Sequence, residues 1–207
     1  MDCFVASLLA MTLLGEGLMK PDRLNAFTDG VIAIIITIMV LELPVPKGSG
    51  LAALQPELPL FGLYALAFAK VGIYWSNHHH MLQAVKRIDG RVLLINLLLL
   101  FWLSLIPFVI RWVGEAGITR DTVVAFGTIM LLSALSYAFL KRALVRCEGP
   151  DSRVATATGA DRKGRVSLIA YAAALAIAFA SPLVAILIYI AVSLMWLIPD
   201  RRFEALE

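Results

Sequence analysis

Apolar residues fill this chain in long blocks separated by short polar breaks, and most blocks approach the ~20 residues a helix needs to cross a bilayer. The first block covers residues 25–43 and is stopped by Pro44 and Pro46, which remove backbone donors and restrict the residues before them. Further blocks cover 58–82, 92–112 and 123–140. Residues 141–165 turn polar, with Gly149-Pro150-Asp151 and several charges, and read as a solvated loop. The last block, 166–198, is too long for one span and is interrupted by Ser181-Pro182, so it divides into helices at 166–180 and 182–198. The pattern predicts an all-α membrane protein with six transmembrane helices per subunit and no extramembrane domain. Residues 1–19 hold an apolar run, Cys3 to Leu14, that is too short to span and lacks a basic segment before it. This stretch is expected to be interfacial or disordered, or to precede a true start at Met19.

Polar residues inside these blocks are the next signal, because an ionisable group in lipid is costly and is a functional hypothesis by default. Asp29 stands near the start of the first block with Arg23 just outside it. Behind Asp29, the residues Ile34, Ile38 and Leu41 recur at spacings of four and three, which stacks them in one column on a helix face. Asp29 falls about 140° from Ile34 on a helical wheel, so acid and column face different neighbours. The second block carries Lys70 near its middle and Trp75, His78, His79 and His80 near its end, and the third carries Asn96 and Pro107.

Composition agrees with the blocks. The chain is 60% hydrophobic and only 16% charged, with mean hydropathy +0.86, far from the ~25% charge of a soluble domain. A net charge of +3 gives no nucleic-acid signal, because the basic residues lie between apolar segments rather than in one patch. Their distribution sets the orientation instead. With the amino terminus in the cytoplasm, Lys20, Arg23, Lys86, Arg87, Arg91 and the basic residues of 141–165 and 201–202 fall inside, and only Lys47, Arg111 and Arg120 outside. Both termini are then cytoplasmic. Cys3 and Cys147 have no disulfide or metal spacing and read as free thiols.

In that topology Asp29, Trp75, His78 and Asn96 share one depth on three successive helices, where they and Arg23 can satisfy one another. The plain reading is polar glue between helices. Three consecutive histidines point about 100° apart, so they cannot converge on one metal ion; His78 is expected to face the bundle while His79 and His80 approach the interface. Neither a Gly-rich phosphate loop nor a nucleophile elbow is present, so the chain offers no catalytic residue and no cofactor site.

Arg23-x-x-x-Phe27-Thr28-Asp29-Gly30 followed by Val-Ile-Ala-Ile-Ile-Ile-Thr resembles the Arg-x-x-x-Phe-Ser-Asp signature of the transmembrane-protein-175 potassium channels, single-repeat prokaryotic branch, with Thr28 standing for the usual Ser. The likeness continues through Trp75-x-x-His78-His79, Asn96, Pro107-Phe108 and Trp196-Leu-Ile-Pro199-Asp200-Arg201-Arg202. It implies a potassium-selective cation channel in the inner membrane, a homotetramer whose first helices surround a central axis. Ile34 would form the narrowest ring, with Ile38 and Leu41 as further rings and Thr37 near the same face, all passed by the permeating potassium ion. Arg23, Phe27, Thr28, Asp29, Trp75, His78 and Asn96 would form the network that holds the pore helix. No Thr-Val-Gly-Tyr-Gly filter occurs, so selectivity would rest on the rings. Glu42 could concentrate cations at the mouth. The alternative is a proton-coupled secondary transporter or proton pathway that uses Asp29, Lys70 and His78 as relay groups.

Overall fold

The computed structural model describes residues 20–48, 50–159 and 161–197, all in helices and short connections apart from one isolated bridge residue, Ile88. The expected amino-terminal segment and the motif residues Pro199 to Arg202 lie outside the described residues. Helix α1 spans Asp22–Leu41, opening behind Pro21 with Asp22 against the positive end of the helix dipole. Its buried positions Leu24, Thr28, Ile32, Ile35 and Met39 recur at helical spacing, so one stripe faces the core. A 3₁₀ turn, Leu51–Glu57, leads into α2, Leu58–Gln83.

The third apolar block is one span made of two helices, α3 at Gly90–Ser104 and α4 at Ile106–Ala116. Asp89 caps α3 by accepting the Val92 N–H at 2.9 Å. Pro107 has no N–H to return to the Leu103 carbonyl, which accounts for the break at Leu105. Gly117, at φ 76°, closes α4 in a conformation that L side chains resist.

Helix α5 runs from Arg120 to Glu148 behind a Thr119–Thr122 capping box, well past the expected end at 140. Hydropathy marks where a helix leaves lipid; Lys141 to Arg146 are good helix formers, and winding stops only at Gly149, φ 100°. The expected loop 141–165 is therefore largely helical, with α6 at Arg153–Thr158 capped by Ser152 and α7 at Arg162–Ala178 capped by Asp161. Helix α8, Pro182–Leu197, follows the Ser181-Pro182 break.

Among the described residues four segments are long and apolar enough to cross a membrane: Asp22–Leu41, Leu51–Gln83, Gly90–Ala116 and Arg120–Glu148. Helices α7 and α8 have only 17 and 16 residues, ~25 Å at 1.5 Å per residue. In the bundle α1 packs on α2, α3 and α4, while α5 sits between α3 and the α7–α8 hairpin. A Cβ at Gly127 of α5 would collide with the Tyr189 ring and hydroxyl of α8, so glycine permits this close approach.

Candidate pore-helix site

Two strings of hydrogen bonds fasten the inner face of α1. In the first, the Trp75 indole N–H donates to Asp29 Oδ1 at 2.8 Å, and Asn25 Nδ2, one turn earlier on α1, donates to Asp29 Oδ2 at 3.3 Å. Asn25 Nδ2 also lies 3.3 Å from His79 Nδ1, and His79 stacks on Trp75 with centroids 5.9 Å apart. Gln83 then meets His79 Nε2 at 3.0 Å. The carboxylate is thus met by neutral donors, and a charge-assisted bond of this length is stronger than a neutral one.

The second string is buried. Asn96 Nδ2 of α3 donates to Thr28 Oγ1 of α1 at 2.9 Å, and Asn96 Oδ1 lies 2.7 Å from His78 Nε2 of α2. An amide oxygen only accepts, so His78 carries its proton on Nε2 toward Asn96. Thr28, His78 and Asn96 expose 0%, 1% and 0% of their surface, which makes each bond expensive to lose. Asn96 alone ties three helices together.

The expected single cluster is therefore two, and its membership changes. Asp29 pairs with neither His78 nor Arg23. Arg23 is exposed and forms no ion pair among the described residues, and Phe27 is 51% exposed. The reason is geometric: Arg23, Phe27, Ile34, Ile38 and Leu41 fall within about 60° of one another on α1, away from the buried stripe. Asn25 and His79 were missed as members. Asn25 lies four residues before Asp29 and His79 four after Trp75, the spacing at which helical side chains meet.

The aliphatic column faces away from the chain's own core, with Ile34 58% and Leu41 79% exposed and Ile38 also exposed. Thr37 lies beside it and donates its hydroxyl proton to the Ala33 and Ile34 carbonyls at 3.0 and 2.9 Å. Glu42, at the end of α1, is not an open acid, because Arg111 Nη1 reaches it at 3.8 Å while also bonding Glu115. Lys70 is in a different place altogether, ringed by Tyr74, Tyr171 and Trp196 at 5.3, 5.3 and 5.6 Å. Asp29 is bonded to Trp75 and His78 to Asn96, so the three proposed relay groups sit in three settings.

Residues 23–107, which hold both strings and the column, match the family model for the endosomal/lysosomal potassium channel TMEM175. Over 186 residues the chain is 48% identical to a potassium channel of Chryseobacterium sp. (strain P1-3), covering 90% of this chain and 97% of that one. This chain belongs to the TMEM175 family. The fold agrees: the crystal structure of a lysosomal potassium-selective channel TMEM175 homolog from Chamaesiphon minutus matches with a TM-score of 0.71 at 24% identity, over 86% of this chain and 97% of that one. The human endosomal/lysosomal proton channel TMEM175 is 36% identical over 101 residues, 43% of this chain and 20% of its own length. TMEM175 membership makes the protein an all-α membrane channel rather than an enzyme.

Proposed function

We propose that this TMEM175 member is a potassium-conducting cation channel of the cell's inner membrane, assembled as a homotetramer with α1 of each copy lining the pore. Each subunit contributes six spans, α7 and α8 forming a short hairpin, and both termini face the cytoplasm by the asymmetry of basic residues. One observation carries this reading: α1 presents an apolar column outward while its opposite face is pinned to α2 and α3. Beside the column run the exposed small residues Ala26, Gly30, Ala33 and Thr37, and among the described residues nothing beyond the local helix backbone lies within 4 Å of a Cβ placed at Gly30. Small residues at that spacing let helices approach closely in lipid. Copies of α1 meeting there would turn Ile34, Ile38 and Leu41 toward a shared axis, and closed symmetry is the usual way to arrange such copies.

Rings of aliphatic side chains gate by excluding water. Thr37 favours cations at this lining, since its only proton is spent on its own helix and its oxygen retains acceptor capacity alone. The bacterial relative matched along 97% of its length is named a potassium channel, which favours potassium over protons as the permeating ion. The test is proteoliposomes loaded with potassium. A channel sets a diffusion potential that follows the potassium gradient with no counter-transported ion; electroneutral, saturable flux, or a potential that follows only the proton gradient, would overturn the reading.

A further inference from the structure

Away from α1, at the end of the bundle where the basic residues gather, α2, α5, α6, α7 and α8 enclose a cavity of about 540 Å³. Its walls are largely apolar, with Ile73, Ala134, Ala138 and Leu168 among them. Its charges are lopsided: among the described residues five basic side chains line it against one carboxylate, that of Asp161, which is already joined to Lys141. Arg142, Arg146 and Arg165 form an exposed rim.

Deeper in, Lys70 is only 4% exposed and its ammonium has no hydrogen bond or ion pair among the described residues. Three aromatic rings surround it, and ring faces alone rarely compensate a buried cation. Two further polar atoms of the lining lack a hydrogen-bond partner among the described residues: the hydroxyls of Tyr171, itself 1% exposed, and of Thr158. Unsatisfied buried groups that converge on one apolar cavity mark a place for a ligand that supplies both anion and hydrogen-bond partners.

We propose that this cavity holds the phosphate headgroup of an anionic membrane lipid. The phosphate lies between Lys70 and the rim arginines, whose planar forks suit phosphate oxygens. The glycerol part meets the Tyr171 and Thr158 hydroxyls, and the acyl chains leave along the apolar wall. Basic pockets between membrane helices at a positively charged membrane face suit such headgroups. Inorganic phosphate shares the charge but has nothing to place against the apolar lining.

The experiment is thermal unfolding of the full-length protein in a neutral maltoside detergent, titrated with dioctanoyl-phosphatidylglycerol, dioctanoyl-phosphatidylcholine or inorganic phosphate. The expected result is a saturable rise in midpoint with phosphatidylglycerol only, and an apparent affinity at least tenfold weaker in Lys70→Met. Arg146→Gln, at the exposed rim where folding is not at stake, is expected to weaken it in the same direction. An equal rise with phosphatidylcholine, an equal rise with inorganic phosphate, or an unaltered phosphatidylglycerol response in both variants would overturn the proposal.

Discussion

The indole of Trp75 donates to the carboxylate of Asp29 across the α1–α2 interface at 2.8 Å, and Arg23, six residues before that carboxylate, takes no part. A double-mutant cycle measures the bond. Asp29→Ala and Trp75→Phe should each destabilise, and their combination should fall short of the sum by about 1.5–3 kcal/mol, as for a hydrogen bond to a charged group. Strict additivity in denaturant unfolding would show that the two residues do not act as a pair.

Asn96 should be the most sensitive polar position of the bundle. In Asn96→Leu both Thr28 and His78 lose their partner, and orphaning buried groups costs about 1–3 kcal/mol each. Arg23→Gln, by contrast, should stay within ~0.5 kcal/mol of wild type, as surface substitutions do. Thermal unfolding in detergent compares the two, and a larger loss in the arginine variant would refute the placement of both residues.

Gly127→Ala should force α5 and α8 apart, at about 1–3 kcal/mol for an overpacked contact. The Tyr189 hydroxyl that fills the space has no hydrogen-bond partner among the described residues, so Tyr189→Phe alone should be neutral or mildly stabilising. The combination should recover part of the loss. Equal melting points for Gly127→Ala and its double variant would locate the strain elsewhere.

Much of this architecture was legible because lipid leaves a helix few ways to be anything else. Pro44, Pro107 and Pro182 all mark interruptions, and Asp29, Trp75, His78 and Asn96 do sit at polar contacts between α1, α2 and α3. Pairing was harder to read. Depth put Asp29 within reach of His78, Trp75 and Arg23 alike, and only the rotation of α1 and α2 about their axes selects Trp75. The end of α5 was hidden because charge ends a span without ending a helix, so Lys141 to Glu148 read as loop. The cage around Lys70 was invisible, since Tyr171 and Trp196 come from α7 and α8, about a hundred residues away. For the column, the sequence gives the spacing of Ile34, Ile38 and Leu41, and the fold adds that they face outward.

If the outward face of α1 lines a pore, single-channel recording of wild type and Ile34→Asn in planar bilayers will show it. An amide in place of the sec-butyl side chain should wet the constriction, since exclusion of water depends on an apolar, narrow lining. Unitary conductance should rise and discrimination between potassium and sodium should fall, with protein yield held because Ile34 is 58% exposed and lies outside the buried core. Unitary currents with unaltered conductance and selectivity in Ile34→Asn would contradict the account and remove α1 from the pore.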